Sequence, residues 1–296
     1  MVNEGQPDLV TLRSGPLVVI LSPRVGGSIA RFDYVAGHQQ FPILRGCDGM
    51  PGDVLGAASF PMVPFVNRIR GGEFTFRGRD VRLAPNMAGD PNPLHGQGWL
   101  EQWEVVDAAD DQAVLRFEHH GGEWPWSYVA EQHFTLRTDG LELLLSCTNR
   151  SREPMPCGLG QHPYFHCGPA TRIETKVANV WLIDEHVLPT EMVPAEGRFD
   201  LSGLPVCGRG LDHGFGGWDG TARISDPEWP VELVMSSPDA AFFQLFSPSS
   251  GEIFVAEPVT HANAALNAPE TQWAELGMAI LEPGERMSID MRLDIS

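Results

Sequence analysis

Five short segments bring polar side chains into apolar or glycine-rich company, and their types suit proton transfer. In Gly158-Leu159-Gly160-Gln161-His162-Pro163-Tyr164-Phe165 an imidazole sits on a proline-stiffened backbone beside two rings. Partial burial lowers the pKa of such a ring toward or below neutrality, which suits a proton donor or acceptor near pH 7. In Ile253-Phe254-Val255-Ala256-Glu257-Pro258 a carboxylate ends a strongly apolar strand. Burial there raises its pKa unless Arg68 or hydrogen-bond donors offset it. Pro64-Phe65-Val66-Asn67-Arg68-Ile69 sets an Asn-Arg pair amid apolar residues, as a site holding a cation would. Leu94-His95-Gly96-Gln97-Gly98-Trp99 flanks a histidine with small residues, so a ligand could approach the backbone closely. Gly210-Leu211-Asp212-His213-Gly214 adds a second carboxylate in a glycine-rich loop. His162 and Glu257 are the candidate catalytic pair. Asn67, Arg68, His95 and Asp212 are the candidates for holding a polar ligand. Three of the binding candidates also have a plain structural explanation: Arg68 as a snorkelling strand end, His95 as a loop residue, Asp212 as a turn former.

Other chemistries lack their residues. The sequence holds no GxSxG elbow, P-loop, strand-following GxGxxG, HExxH or EF-hand pattern. Cys157, His162, His166 and Cys167 are the nearest approach to a metal set, but Pro163 breaks the helix that would align the two histidines, and no CxxC occurs. Proton shuttling without a metal or cofactor is the expectation.

The elements positioning these residues read as strands. Phe74 and Phe76 alternate toward Arg77-Gly78-Arg79, and Val81 and Leu83 alternate away from it. Phe134 and Leu136 lead into Thr138-Asp139-Gly140, and Leu141, Leu143 and Leu145 follow, a strong hairpin signal. After Pro283-Gly284, Met287, Ile289, Met291, Leu293 and Ile295 alternate with polar residues, predicting a strand with one buried face. Glycine (32) and proline (25) together make up about 19 % of the 296 residues, against roughly 12 % in average usage. Both interrupt helices. The stretches 85–98 and 197–220 are long and turn-rich, as functional loops are. The expectation is all-β: one large antiparallel β-sandwich domain over residues 1–296.

The bulk numbers exclude whole classes of partner. A net charge of −19 repels phosphate backbones and anionic headgroups, so neither nucleic acid nor a membrane surface is expected. Apolar residues at 42 % exclude a disordered chain, and no run approaches the ~20 apolar residues of a membrane span. Met1 to Asp8 carries Glu4 and Asp8 and no basic region, unlike a signal peptide. Five cysteines with no close pair predict reduced thiols and a cytoplasmic protein.

Taken in order, Asn67-Arg68-Ile69, Gly72 with Phe74, Leu94-His95-Gly96, His162-Pro163-Tyr164-Phe165, Leu211-Asp212-His213, Glu257-Pro258 with Asn267, and Pro283-Gly284-Glu285 resemble the aldose 1-epimerases, or galactose mutarotases, over about residues 10–295. The resemblance implies a large β-sandwich whose open cleft binds a free hexopyranose without a metal. It implies a reaction interconverting the α and β anomers of a free aldohexose. By position it makes His162 the general acid and Glu257 the general base, and it puts Arg68, His95 and Asp212 on the sugar hydroxyls and ring oxygen. Tryptophans such as Trp99, Trp124, Trp126 and Trp218 are expected in or near these loops, most of them as core, some as faces for a sugar. Two departures from the family pattern are expected at the sugar pocket. Many members read Glu-Thr-Gln and then Pro-Asp-Ala where this chain has Glu257-Pro258-Val259-Thr260 and His261-Ala262-Asn263-Ala264, and Phe65-Val66 precede the Asn-Arg pair. Gln161 and Asn263 are further candidates for setting specificity. Arg70, Arg77, Arg79 and Arg82 keep open a phosphorylated or sulfonated substrate, and a non-catalytic sugar-binding module is the alternative of a different class.

Overall fold

A computed structural model describes residues 7–296, so most of the Met1–Asp8 segment lies outside the described residues. Among these residues there is no α-helix, only five short 3-10 turns, and no helix long and apolar enough to cross a membrane. Every pairing between strands is antiparallel. A nine-stranded sheet runs, edge to edge, through Ser202–Pro205, Arg172–Thr175, Thr221–Ser225, Leu233–Ser236, Arg286–Ile295, Gly140–Asn149, Tyr128–Arg137, Gln112–His119 and Glu104–Ala108. An eight-stranded sheet contains, as neighbours, Asn179–Ile183, Leu211–Gly216, Phe242–Ser247 and Ile253–Val259. A four-stranded meander spans Val10–Ser14, Leu17–Ser22, Ser28–Ala36 and Gln39–Leu44. One apolar core joins Leu143, Leu145, Ile289 and Met291 of the first large sheet to Phe215, Phe243, Leu245 and Phe254 of the second. This is the expected β-sandwich.

The period-2 pattern holds where one face is wet. In Arg286–Ile295 the residues Ile289, Met291 and Leu293 are buried while the intervening polar residues are not. The Phe74 hairpin turns through Arg77 and Gly78, both at positive φ (48° and 79°). The other hairpin differs from the Asp-Gly reading. Arg137 pairs with Gly140, so Thr138-Asp139 make the turn and Gly140 opens the next strand. A Cβ at Gly140 would lie 2.5 Å from the Leu293 carbonyl oxygen, so glycine is required there for close strand approach.

Phe242–Ser247 and Ile253–Val259 break the alternation because both their faces are covered. Phe243, Leu245, Phe254 and Ala256 enter the main core. Phe242, Val255 and Val259 instead join Phe60, Val66, Leu94, Trp99 and Tyr164 in a second apolar cluster on the other face. Glu257 shares that second face with Val255 and Val259, since side chains two apart project alike. The strand runs on through Pro258 to Val259, so Glu257 lies within it rather than at its end.

The cysteine expectation needs correction. Cys167 and Cys207 form a disulfide with their Cα atoms 5.7 Å apart, whereas Cys47, Cys147 and Cys157 are free. The pair is 40 residues apart in sequence; folding brings the end of Tyr164–His166 to the turn before Leu211–Gly216, which spacing alone does not reveal. The thiol-based argument for a reducing compartment therefore falls.

Candidate active site

Of the six candidate residues, all line one cavity of about 290 Å³. A larger open cavity, about 690 Å³, lies between the Phe74 hairpin and residues 266–270, but it contains none of them. Size does not decide here: the smaller cavity has buried titratable groups converging on it.

The floor comes from the eight-stranded sheet. Glu257 pairs in register with Gln244, and Asp212 with Phe246. Gln244 donates its amide to Asp212 Oδ1 at 2.8 Å, which locks the acid against the floor. Asp212 therefore sits on a strand, not in the loop that its glycines suggested. His162 lies between the short strands Gly160–Gln161 and Tyr164–His166, and its backbone N–H donates to the Phe60 carbonyl at 3.0 Å. Its ring stacks on Phe60, with centroids 4.3 Å apart. This fixes His162 Nε2 at 3.6 Å from Glu257 Oε1. Glu257 Oε2 and His162 Nδ1 are both buried with no hydrogen-bond partner among the described residues. Leaving such atoms unpaired costs about 1–3 kcal/mol each.

Loops 63–69 and 94–98 form the opposite wall. Bridges Val63–Gly96 and Arg68–Leu94 join them. Asn67 (φ 57°) and His95 (φ 56°) are both left-handed. Such conformations persist only where surroundings enforce them. Here the Asn67 N–H donates to His95 Nδ1 at 3.1 Å, and the His95 N–H donates to the Asn67 carbonyl at 3.0 Å. The first bond uses the Nδ1 lone pair, so His95 carries its proton on Nε2, free to donate into the cavity. A Cβ at Gly96 would lie 2.1 Å from the Val63 carbonyl oxygen, so only glycine fits beside His95. Arg68 is gripped on three sides. Its Nε donates to Asp90 Oδ2 at 2.8 Å, its NH1 to Asn67 Oδ1 at 3.2 Å, and its backbone N–H to Asn263 Oδ1 at 3.1 Å. Its NH2 stands 3.9 Å from Asp212 Oδ2. The Asn67 side chain thus orients the guanidinium.

Burial dominates the electrostatics. It holds the Glu257 carboxyl well above the usual carboxylate range, with the Asp212 charge adding and Arg68 opposing. It pushes His162 down to about 3, with Arg45 adding. His95 is held well below its ordinary value by burial, then by His162 and Arg68. Burial also raises Asp212, against Arg68 and the Gln244 bond. Both charged forms of the central pair are therefore disfavoured in the empty cleft.

Several sequence expectations fail at this site. Gln161 and Asn263 do not line the cavity: Gln161 donates to Gln132, and Asn263 binds the backbone at Arg68 and Val187. Phe65 packs on Trp124 in the main core, and Val66 joins the second cluster. Thr260 Oγ1 accepts the Leu159 N–H, and His261 Nε2 accepts the Val66 N–H. The first departure from the family pattern therefore braces backbone behind the cavity and the second packs into apolar clusters, and neither lines it. Of the four tryptophans singled out, only Trp99 lines it. Sequence reasoning missed Asp90, Gln244 and Phe60, as well as the apolar rim of Leu55, Met87 and Phe246. Gln244, alone among Phe242, Phe243, Leu245 and Phe246, carries the signal that picked out Glu257. Asp90 lies in the turn-rich stretch 85–98.

Among the described residues no group of three His, Cys, Asp or Glu side chains is placed to hold a metal ion. The described polar groups suit proton exchange with a small polyhydroxylated ligand.

Comparison with known proteins agrees along the whole length. The chain is 34 % identical over 302 residues to the uncharacterized protein YphB of Escherichia coli K12, covering 97 % of this chain and 98 % of that one. It is 25 % identical over 218 residues to the Escherichia coli K12 aldose 1-epimerase, covering 69 % and 61 %. A crystal structure of a galactose mutarotase-like protein from Clostridium acetobutylicum superimposes with a TM-score of 0.83 at 20 % identity, covering 97 % and 94 %. The aldose 1-epimerase family pattern matches residues 8–294, and with that match the chain belongs to the aldose 1-epimerase family.

Proposed function

We propose that the protein is a mutarotase that interconverts the α and β anomers of a free aldohexose by acid–base ring opening and reclosure. The reading is carried by the 3.6 Å approach of His162 Nε2 to Glu257 Oε1, each group with its other polar atom unpaired, at the floor of a sugar-sized cavity.

A cyclic aldose is a hemiacetal, so changing its anomer requires one proton off the C1 hydroxyl and one onto the ring oxygen. Glu257 accepts the C1 hydroxyl proton while His162 donates to the ring oxygen. The C1–ring-oxygen bond breaks, its electron pair stays on the ring oxygen, and C1 becomes an aldehyde. Rotation by about half a turn about C1–C2 presents the other face, and the two transfers reverse. The pair carries one proton throughout. It begins as imidazolium and carboxylate and reaches the open-chain stage as imidazole and carboxylic acid. Burial disfavours both charged forms, so without a sugar the pair rests as imidazole and carboxylic acid, and the charged starting state depends on the bound hydroxyls and ring oxygen to stabilise it. General acid–base assistance supplies roughly 10²–10⁴-fold, and positioning adds to it. The His95 Nε2–H, Arg68 and Asp212 orient the hydroxyls and follow the charge that develops at the ring oxygen.

The substrate in this reading carries no phosphate or sulfonate. Arg70 faces Asp184, Arg77 faces Glu270 and Glu282, Arg79 faces Glu153, and Arg82 faces Glu73, and none of the four lines the cavity. Polarimetry on a freshly dissolved pure anomer tests the assignment. His162→Asn and Glu257→Gln should each slow anomer exchange by about 10²–10⁴-fold while leaving the fold intact. Wild-type rates in both variants would show that neither group transfers the protons and would favour a binding module.

A further inference from the structure

The arginine at the cavity wall depends on a residue that does not itself reach the cavity. We propose that Asp90 is a positioning residue for Arg68: its carboxylate fixes the direction of the guanidinium and offsets part of the charge that Arg68 imposes on the Glu257–His162 pair. The proposal rests on the mutarotase reading.

The two side chains are each only 10 % exposed, and the Nε–Oδ2 distance is 2.8 Å. Asp90 is itself fixed in place. Its Oδ1 accepts the Asn92 N–H at 2.9 Å and the Asn92 amide at 3.3 Å, and Asn92 Oδ1 accepts the Gly71 N–H at 2.9 Å. This chain of bonds returns to the loop that carries Arg68, so the carboxylate is set in place before any ligand arrives. With Nε on Asp90 and NH1 on Asn67, the guanidinium has one orientation, and it leaves NH2 toward Asp212 and the cavity. Asp90 is absent from the cavity lining, so it acts through Arg68 and not on the sugar.

The charges facing Glu257 come from every element around it: Arg68 from loop 63–69, His95 from loop 94–98, His162 and Tyr164 from the segment following Gly160, and Asp212 from its neighbouring strand. Gln244 beside it is neutral, and the cation facing His162 is Arg45, stacked over Tyr164. The field of Asp90 reaches Asp212, whose upward shift it adds to, and Asp212 in turn adds to that of Glu257. Without Asp90 the guanidinium would be uncompensated. Arg68 already opposes the upward shift of Glu257, and uncompensated it would favour the Glu257 carboxylate further; a nearby cation also disfavours the His162 imidazolium, so the proton affinity of both would fall.

The test compares pH profiles of kcat/KM for anomer exchange in wild type, Asp90→Asn and Asp90→Glu. Asp90→Asn keeps the shape and removes the charge. It should lower kcat/KM by about 10–100-fold and move both limbs of the profile to lower pH by about 0.5–1 unit. Asp90→Glu keeps the charge but displaces it, so kcat/KM should fall while the limbs stay where the wild type has them. Unshifted limbs in a folded Asp90→Asn protein would reduce Asp90 to a stitch between loops and overturn the proposal. If Asp90→Asn does not fold, Asp90→Glu decides: shifted limbs, or an unchanged kcat/KM, would overturn it equally. A wild type inactive on every free aldose would sink the mutarotase reading itself, an outcome that the variants cannot produce.

Discussion

Glu142 and Glu257 are both carboxylates on central strands of large sheets, yet their surroundings are opposite. Glu142, on the nine-stranded sheet, takes a two-pronged contact from Arg137, with Nε–Oε1 at 2.7 Å and NH2–Oε2 at 2.9 Å, and a third bond from Arg292 at 3.0 Å. Glu131, on the adjacent strand, is likewise paired with Arg116. Both are held below the usual carboxylate range, Glu142 chiefly by its bond to Arg137 and Glu131 by Arg116 acting against burial. Glu257, on the eight-stranded sheet, is buried, has one oxygen unpartnered, and is held well above that range. The supply of partners makes the difference. A carboxylate given cations and water keeps its charge and adds to the surface, while one denied them keeps a proton that an ordinary carboxylate would already have lost, and so has one to trade.

The comparison breaks first on stability against pH. Glu257 binds its proton more tightly when folded than when unfolded. Its contribution to stability is therefore full below the unfolded pKa near 4.5 and is lost as pH rises toward the folded value. Each unit of that interval costs the wild type up to about 1.4 kcal/mol. Glu257→Gln, inactive in anomer exchange, should gain on the wild type in denaturant melts as pH rises from 5 to 8. Parallel profiles would mean that Glu257 is charged in the folded protein.

A smaller effect of opposite sign belongs to His162. Its folded pKa of about 3 lies below the unfolded value of 6.5, and His261 at about 4 behaves alike. The unfolded chain takes up protons first, so both histidines cost stability as pH falls from 6.5 toward 4. His162→Asn should flatten that slope by close to one proton, read as the change in unfolding free energy per pH unit. An unchanged slope would mean that the His162 ring is hydrated in the folded protein.

How far the sequence discloses this site follows from side-chain parity. Glu257, His162 and Arg68 stand out because each interrupts an apolar run, and a polar residue in such a run must face something other than the core. The sandwich is legible for the complementary reason, in alternating strands such as Arg286–Ile295. What stays hidden depends on pairing across distance. Asp90 looks like an ordinary turn residue until Arg68 folds onto it, and Cys167 and Cys207 are unremarkable until the sheet joins them. Phe65 and Val66 mislead in the opposite sense: adjacency to Asn67 in sequence suggested the pocket, but the pleat and the turn at Asn67 send both into apolar clusters. Gln244 shows the limit most plainly, since it carries the same signal as Glu257 but acquires a role only through Asp212 on the next strand.

The smallest effect lies on the paired side. Glu142→Gln removes a charge from a group about one-third exposed, between two arginines that are themselves about half and more than one-third exposed. Solvent screens such pairs, which are worth roughly 0–1 kcal/mol. Arg292 also keeps its contact with Asp294, so one of the two released cations retains a partner. The variant should therefore lose less than about 1 kcal/mol at pH 7, and the loss should shrink further in high salt. Because the folded pKa of Glu142 is depressed, what stability it adds is present above pH 4.5 and vanishes as pH falls through the folded value, opposite in sign to Glu257. Anomer exchange should stay at the wild-type rate. A loss of several kcal/mol, or a slowed reaction, would mean that the outer ion pairs are coupled to the cleft, and the contrast between the two sheets would no longer hold.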